Sequence, residues 1–195
     1  DDDYSQKNFN LVLFDGNGST NAVTGLGFQP DLIWGFTRDG SQSKRMVDST
    51  RGGSERLYSD LSDAADTSNT AISAFGADGF TANGGYFNND NGKTCGAWCW
   101  RANGGTEATN NDGTGTSYVQ ANQNAGFSIT RYTGTGSALT VGHGLAQEPD
   151  ITIIKDRDAS VNWILYTKII DGSLDYLFIN TTASKADSGL TGPNS

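Results

Sequence analysis

The sequence predicts an all-β protein, namely a jelly-roll-like antiparallel β-sandwich that is duplicated, with the second copy incomplete. Three observations lead to this prediction. Residues that favour helices are scarce, since the 195-residue chain has only three glutamates, Glu55, Glu107 and Glu148. Glycine is abundant, at 26 residues, and clusters with Asn, Asp and Ser between short apolar runs, which is typical of strands joined by turns. Finally, a long segment of the chain occurs twice.

The apolar runs give the expected strands in chain order. FNLVLF (9–14) and DLIWGFT (31–37) open the first half, and FSITRY (127–132) and DITIIKD (150–156) are their counterparts in the second half. DLIWGFT and DITIIKD each follow a proline. A proline at this position is compatible with the start of a strand, because the first position of a strand tolerates a missing N–H. Further strands are predicted within 71–90, 94–102, 163–170 and 174–180. The one helical candidate, 54–66, is expected to form no more than a turn or two.

The two copies align in order with a single one-residue gap. Phe9 matches Phe127, and Gly16 matches Gly134 at the following turn. Two polar pairs also recur: Pro30 and Asp31 match Pro149 and Asp150, and Arg38 and Asp39 match Arg157 and Asp158. We expect the Pro-Asp pair to start a buried strand and the Arg-Asp pair to close it, as an ion pair or a capping turn. The alternative for the Arg-Asp pair is that it holds a ligand.

These patterns divide the chain into three parts. Residues 1–104 form the first β-sandwich repeat, 105–125 form a Gly-, Asn- and Thr-rich linker or extended loop, and 126–195 form the second, truncated repeat. The second repeat has no counterpart of the segments 71–90 and 94–102. We expect either that the natural chain continues beyond Ser195 or that another subunit supplies these strands, and we favour the first.

The segment TCGAWCWRA (94–102) predicts a strand that is central or covered on both sides. Period-two alternation places Cys95, Ala97 and Cys99 on one face and Trp98 and Trp100 on the other, so neither face is polar. Residues four apart on a straight strand lie about 13 Å apart, which is too far for a disulfide. The two cysteines are therefore predicted to be buried and unpaired with each other.

Composition and charge exclude several classes of function. The net charge is −9 and no basic face is evident, so we expect no nucleic-acid partner. The apolar runs are far shorter than the ~20 residues of a membrane span, so we expect no membrane insertion. The single histidine, His143, lies in a Gly-His-Gly turn sequence and no nucleophile elbow is present, so we expect no enzyme activity and no cofactor. Calcium is possible at the acidic loops 88–92, 110–113 and 156–158, although turn formation explains the same residues.

The aromatic residues are the remaining candidates for a binding site. The tryptophans lie in apolar runs and are predicted to belong to a core or an interface: Trp34, Trp98, Trp100 and Trp163. Three tyrosines lie beside Gly-, Ser- or Asn-rich loops and are the candidate ligand contacts: Tyr58, Tyr86 and Tyr118.

Four short motifs carry a resemblance to a known group of proteins: Gly-Phe-x-Pro-Asp (27–31), Asp-Ser-x-Arg-Gly (48–52), Asp-Gly-Phe-Thr (78–81) and Ala-Trp-Cys-Trp (97–100). With these motifs the chain resembles an uncharacterised β-rich repeat domain of marine bacteriophage tail, fibre and other virion structural proteins. The resemblance covers nearly the whole chain and departs at Gly35. It implies a β-domain on the virion surface and supplies no catalytic residues.

We therefore expect a bacteriophage virion structural protein, of a tail fibre, tail or capsid-surface appendage, that displays loops for host attachment. Its expected location is the virion surface, outside the cell. The expected partners are further copies of the chain in a homo-oligomer, a trimer, together with other virion proteins and, as the candidate ligand, a host-surface glycan. The alternatives are a bacterial adhesin or carbohydrate-binding module and, third, a polysaccharide depolymerase.

Overall fold

The computed structural model describes residues 5–189 and is all-β, as the sequence predicts. Short 3₁₀ turns occur at Ser5–Lys7 and Gly84–Phe87. The described strands are β1 (Phe9–Asp15), β2 (Thr20–Thr24), β3 (Leu32–Thr37), β4 (Arg45–Asp48), β5 (Leu57–Tyr58), β6 (Ile72–Gly76), β7 (Gly79–Asn83), β8 (Thr94–Trp100), β9 (Ala108–Asn110), β10 (Ser117–Asn122), β11 (Phe127–Tyr132), β12 (Ile151–Ile154), β13 (Ile164–Thr167), β14 (Asp175–Phe178) and β15 (Ala186–Asp187). Within the described range, no helix is long and apolar enough to cross a membrane.

The first eight strands form an antiparallel β-sandwich. One sheet has five strands in the order β1-β8-β3-β4-β5, and the other has three in the order β2-β7-β6. The neighbours β1-β8-β3 in one sheet and β2-β7 in the other follow the order of a jelly roll. The hairpin β4–β5 extends the five-stranded sheet, whereas in a jelly roll it would join the opposite one. The predicted fold class is thus confirmed as all-β.

The core of this sandwich lies between its two sheets. Ile33, Val47 and Cys99 of the five-stranded sheet are fully buried against Phe80 and Ala82 of the three-stranded sheet. The side chain of Phe87 closes the core by packing on Gly35, where a Cβ atom would lie 2.6 Å from the phenyl ring. The glycine at position 35 therefore leaves the space that this phenyl ring occupies.

Strand β8 has the two faces that the sequence predicts. Cys95, Ala97 and Cys99 are fully buried on the core side, and both cysteines are free thiols. The strand is central, because it pairs with β1 on one edge and β3 on the other. On the opposite face, however, Trp98 remains 39% exposed, so only the core face is fully covered.

The Pro-Asp pair of the first copy begins β3 through a buried carboxylate. Asp31 is fully buried and accepts the backbone N–H groups of Ala102 at 2.7 Å and of Gly104 and Gly105 at 2.9 Å. The hydroxyl of Ser49 donates a fourth hydrogen bond at 2.6 Å. Gly104 and Gly105 have positive φ, which turns consecutive N–H groups toward one anion. Asp31 therefore ties the start of β3 to the end of β8.

The segment 105–125 is not simply the linker or extended loop that composition suggested. It contains β9 and β10, which pair with β11 in the order β11-β10-β9. β10 is difficult to recognise in the sequence because one of its buried residues, Gln120, is polar. The amide of Gln120 accepts the N–H of Gly105 at 2.8 Å and donates to the Ser49 hydroxyl at 3.1 Å. Side-chain pairing thus replaces the apolar alternation that identifies other strands.

The remaining strands form a four-stranded sheet, β12-β13-β14-β15, that packs on the first sandwich. Trp163 is buried against Met46 and Leu57, with Ile179 beside it. Its indole N–H donates to the carbonyl of Tyr58 at 2.8 Å. Within the described residues, this sheet does not face a second sheet of its own, and its apolar contacts are made with the first half of the chain.

The recurring Arg-Asp pairs lie in turns after β3 and β12 and do not form ion pairs within themselves. Asp39 accepts the backbone N–H of Thr94 at 3.1 Å, which closes the end of β3 against β8. Arg157 reaches across to the first half and donates to Glu55 at 2.8 Å. The helical candidate 54–66 forms β5 and a bridge between Arg56 and Asp66 instead of a helix.

Candidate ligand-binding groove

A groove of about 350 Å³ lies between the loops that flank β10 and β11, and we call it the tyrosine groove. Tyr118 of β10 and Tyr132 of β11 both line the groove and are each 39% exposed. The other lining residues are Thr114, Gly115, Thr116, Arg131, Thr133, Thr135, Leu139 and Arg157. One predicted ligand contact, Tyr118, and one repeat-pair residue, Arg157, therefore meet in this groove.

The orientation of Tyr118 is fixed by the residue directly opposite it on the neighbouring strand. Tyr118 pairs with Arg131 across β10 and β11, and the guanidinium lies 4.1 Å from the centre of the phenol ring. Arg131 is held in turn by Glu107, which accepts two hydrogen bonds of 2.6 Å. A planar guanidinium that is paired through two of its three nitrogens has little freedom left, so it supports one face of the ring as a rigid backing.

This arrangement shifts the pKa of both charged partners. The hydrogen bonds from Arg131 lower the pKa of the Glu107 carboxyl, which outweighs the opposing effect of its burial. The same hydrogen bonds raise the pKa of Arg131, again against burial. The pair is therefore ionised at neutral pH and neutralises its own charge.

The opposite wall of the groove is built by a loop that packs on glycine. Leu139 lies over Gly115, where a Cβ atom would come within 2.5 Å of the leucine side chain. The hydroxyl of Thr140 accepts the N–H of Thr114 at 2.9 Å and thereby holds the two loops together. These contacts place threonine hydroxyl groups around the exposed tyrosine rings.

The chemistry of the groove suits an uncharged, hydroxyl-rich ligand. Its two guanidinium groups are already paired, Arg131 with Glu107 and Arg157 with Glu55. They can still donate hydrogen bonds, but they offer little net positive charge to an anion. The exposed ring of Tyr118 supplies an apolar face, and Tyr132 and the threonines supply donors and acceptors.

The other two candidate tyrosines meet at Arg56, away from the tyrosine groove. Tyr58 is partly buried, accepts a hydrogen bond from Arg56 at 2.9 Å and donates one to Asp66 at 2.9 Å. Burial opposes ionisation of Asp66, but hydrogen bonds from Ser68 and Tyr58 and the charge of Arg56 lower its pKa below the usual range. Tyr58 therefore belongs to an internal polar network and is not available as a platform for a ligand.

Tyr86 is the more accessible member of this second cluster. It is 45% exposed, and the guanidinium of Arg56 lies 5.6 Å from its ring centre. It borders a shallow, open depression whose other lining residues are Gly18, Ser19, Thr20, Thr70, Asn83 and Gly84. One aromatic residue lines this depression, whereas two line the tyrosine groove.

The predicted core or interface tryptophans occupy different environments. Trp163 is 4% exposed and lies between the two halves of the chain. Trp34 and Trp100 are partly buried, and Trp100 stacks on Phe127 of β11 at a centroid distance of 6.1 Å. Trp98 is exposed beside Leu11 and Leu13, which lie on the adjacent β1.

The acidic loops that suggested calcium do not gather carboxylates. Among residues 5–189, the three-carboxylate group compatible with a metal ion is instead Asp171, Asp175 and Asp187. The ammonium group of Lys185 lies inside this group and donates to Asp175 at 2.6 Å and to Asp171. A cation would have to displace this lysine, because Lys185 already joins the three carboxylates in a four-residue ion network.

Sequence reasoning missed Glu107, Arg131 and Tyr132 as parts of a site. Their signal was present, because β10 and β11 flank the short turn sequence 123–126, in which Gly126 has a φ of 64°. Recognition of this hairpin would have placed Arg131 opposite Tyr118. The position of Glu107 depends on β9, whose three residues carry no recognisable strand pattern.

Comparison with known proteins gives one match. Residues 4–193 match the model of a family described as a domain of unknown function, DUF7483. No curated protein and no solved structure matches the chain. The family description names no activity, ligand or partner, so the function has to be argued from the site.

Proposed function

The chain belongs to the DUF7483 family of domains of unknown function, and we propose that it is an attachment module whose tyrosine groove binds a neutral glycan. We further propose that the module is a non-enzymatic structural component of a bacteriophage surface and that the glycan belongs to the host. The single observation that carries glycan binding is the exposed ring of Tyr118, which is held against the rigid, charge-neutral Glu107–Arg131 pair in a groove that Tyr132 also lines.

Rigidity of the groove favours binding because it lowers the entropy lost when a ligand is held. Tyr118 is backed by Arg131, which is itself fixed by Glu107. The same glutamate–arginine pairing removes free positive charge from the groove. Since the whole chain carries a net charge of −9, a neutral sugar is favoured over an anionic one.

Binding should be tested by screening the purified protein against neutral and acidic surface glycans of candidate hosts. We expect saturable binding to one or a few neutral glycans, without release of reducing ends. Binding only to acidic glycans would contradict the charge argument. Release of reducing ends from a bound polysaccharide would contradict the non-enzymatic proposal and would show that the protein is a depolymerase.

The proposal that the protein self-associates is supported by an exposed apolar surface on the five-stranded sheet. We define the apolar patch as Leu11 and Leu13 of β1, Trp98 of β8 and Phe36 of β3. Leu11 lies opposite Trp98, and the rings of Trp98 and Phe36 are 5.1 Å apart. Leu13 is 54% exposed. Contiguous exposed apolar residues on a sheet favour burial against another protein surface.

A second copy of the chain is the proposed occupant of the apolar patch. Other parts of the same sheet face are already covered from within the chain, by Phe127 at Trp100 and by Trp163 at Met46. The patch continues this internal interface, so a neighbouring copy would complete it. We propose that the assembly is a trimer. A trimer would present three tyrosine grooves in parallel, which raises the avidity of weak glycan binding.

The virion assignment rests on the resemblance of the chain to phage structural repeats and on its rigid all-β framework. A bacterial adhesin would use the same groove from a cell surface. The two are distinguished by detecting the protein in purified phage particles, with an antibody or by mass spectrometry. Presence in particles supports the virion component, and presence only on bacterial cells supports the adhesin.

A further inference from the structure

The three-stranded units β3–β4–β5 and β12–β13–β14 have the same internal strand register when the two Pro-Asp motifs are aligned. Leu32 lies opposite Asp48, and the corresponding Ile151 lies opposite Thr167. The match continues along the strands: Trp34 with Met46 corresponds to Ile153 with Leu165, and Met46 with Leu57 corresponds to Leu165 with Leu177. The two three-stranded units can therefore be compared residue by residue.

The comparison exposes one difference at the edge of β12. The other edge of β3 is occupied by β8, whereas β12 ends its sheet and pairs with no strand on that side within the described residues. Ile151 and Ile153 are accordingly 53% and 39% exposed.

The register also shows which backbone groups of β12 are left open. The N–H of Arg38 donates to Thr94 at 2.8 Å, so alternate residues of β3, including Leu32 and Trp34, direct their backbone groups toward β8. The corresponding residues of β12 are Ile151 and Ile153. Their N–H and C=O groups therefore face the unoccupied edge.

The Pro-Asp pairs of the two units also differ, because the aspartate is hydrogen-bonded in the first unit and exposed in the second. Asp31 accepts three backbone N–H groups from the turn that follows β8. Asp150 stands at the corresponding position next to β12, is exposed, and receives no hydrogen bond from the part of the chain that the structure describes. An exposed strand edge and an unused anchoring carboxylate therefore occur side by side.

We propose that the edge of β12 is an acceptor site for an extended segment with the pattern of β8, supplied by a partner polypeptide. The segment pairs antiparallel with Ile151–Ile154 and continues into a glycine-rich turn whose N–H groups bind the carboxylate of Asp150. This is strand addition to an exposed sheet edge, with the carboxylate setting the register. The site does not involve the tyrosine groove.

A second copy of the chain does not supply this segment. Its own β8 is enclosed between β1 and β3 and is not available as a donor. Edge-to-edge pairing of two β12 strands would satisfy the backbone, but it would bring no glycine-rich turn to Asp150. The occupant that we propose is a partner strand that carries its own turn, in place of the continuation of the chain that the sequence favours.

The test uses a fluorescent peptide with the sequence of residues 93–105, which contains β8 and its turn, kept under reducing conditions. Anisotropy should show saturable binding to the intact protein. Hydrogen exchange should slow at the amides of Ile151 and Ile153. A peptide that stops at residue 101, before the turn, should bind roughly tenfold more weakly or worse, because it loses charge-assisted hydrogen bonds.

Two variants separate this site from non-specific association. Ile153→Pro removes an N–H that faces the open edge and should abolish binding, with circular dichroism and thermal unfolding used to show that the protein remains folded. Asp150→Ala should weaken the long peptide without changing the short one. Equal binding of the long peptide to wild type and Ile153→Pro, or no binding to wild type, would overturn the proposal. Dimerisation of the protein alone that Ile153→Pro abolishes would overturn the choice of occupant.

Discussion

The carboxylate of Asp31 accepts the backbone N–H of Gly105 at 2.9 Å, across 74 positions of sequence. This contact joins the start of β3 to the turn after β8, and two further N–H groups and the Ser49 hydroxyl share the same carboxylate. Gln120 also accepts the N–H of Gly105, so the β10 segment is attached at the same point. The recurring Pro-Asp pair therefore has a structural function in the first half of the chain.

Replacing Asp31 with alanine should strongly destabilise the protein. The substitution leaves buried N–H groups without an acceptor, and hydrogen bonds to a charged group contribute roughly 1.5–3 kcal/mol each. We expect a loss of at least about 3 kcal/mol in the free energy of unfolding, measured by urea denaturation. Asp150→Ala is the matched control and should stay within about 0.5 kcal/mol. Equal effects of the two substitutions would contradict the structure.

Trp163→Ala should weaken the packing of β12–β15 on the first half of the chain, so that these strands unfold locally more often. The indole is 4% exposed, and its N–H bonds the carbonyl of Tyr58. Removal of a buried tryptophan typically costs about 3–5 kcal/mol. Hydrogen exchange should accelerate in β12–β15 more than in β1–β8, while Trp98→Ala, on an exposed face, should leave both regions protected. Uniform acceleration after Trp163→Ala would show that the halves unfold as one unit.

Both thiols should resist modification in the folded protein. Burial raises the pKa of the Cys99 thiol far above its usual range. Burial, followed by the carboxylates of Asp39 and Asp90, raises the pKa of the Cys95 thiol. Because the thiolate is the reactive form, a thiol reagent should label neither cysteine in native buffer and both in denaturant. Rapid labelling of either cysteine without denaturant would show that β8 is not buried in solution.

Acid should weaken the ion pair between Glu107 and Arg131 that holds the ring of Tyr118. The folded-state pKa of Glu107 is lowered, so its ion pair with Arg131 contributes stability above the unfolded pKa and loses it as pH falls through the folded pKa. The difference in unfolding free energy between wild type and Glu107→Gln should therefore be larger near about pH 6 than near about pH 3. Urea denaturation at both pH values measures it. A difference independent of pH would mean that the pair does not form.

A charge in the apolar patch should prevent self-association. Leu13 is exposed in one chain and would be buried in the proposed oligomer, so Leu13→Asp would place a carboxylate in an apolar interface. Sedimentation velocity should show oligomers for wild type and monomers for Leu13→Asp, with the same thermal midpoint for the isolated chains. Ile170→Asp, at another exposed apolar residue, is the control and should still associate. Monomeric wild type at high concentration would contradict the assembly.

The sequence predicted the strands that depend on apolar alternation and missed those that depend on polar pairing. β3 and β8 were recognisable because Ile33, Cys95 and Cys99 alternate with larger residues. β10 was not, because its buried Gln120 is satisfied by partners more than a dozen positions away in the chain. Tyr118 was predicted as a contact from its neighbouring loop, yet its orientation depends on Arg131, which only the strand register places opposite it.

Calorimetric titration of a neutral host-surface glycan into wild type, Tyr118→Ala and Tyr86→Ala tests glycan binding by the tyrosine groove most directly. Loss of a ring that contacts the ligand should weaken binding by roughly tenfold or more in Tyr118→Ala, which corresponds to about 1.4 kcal/mol or more. Tyr86→Ala removes an exposed tyrosine outside the groove and should bind like wild type. Unchanged affinity in Tyr118→Ala, or loss of binding only in Tyr86→Ala, would contradict the account.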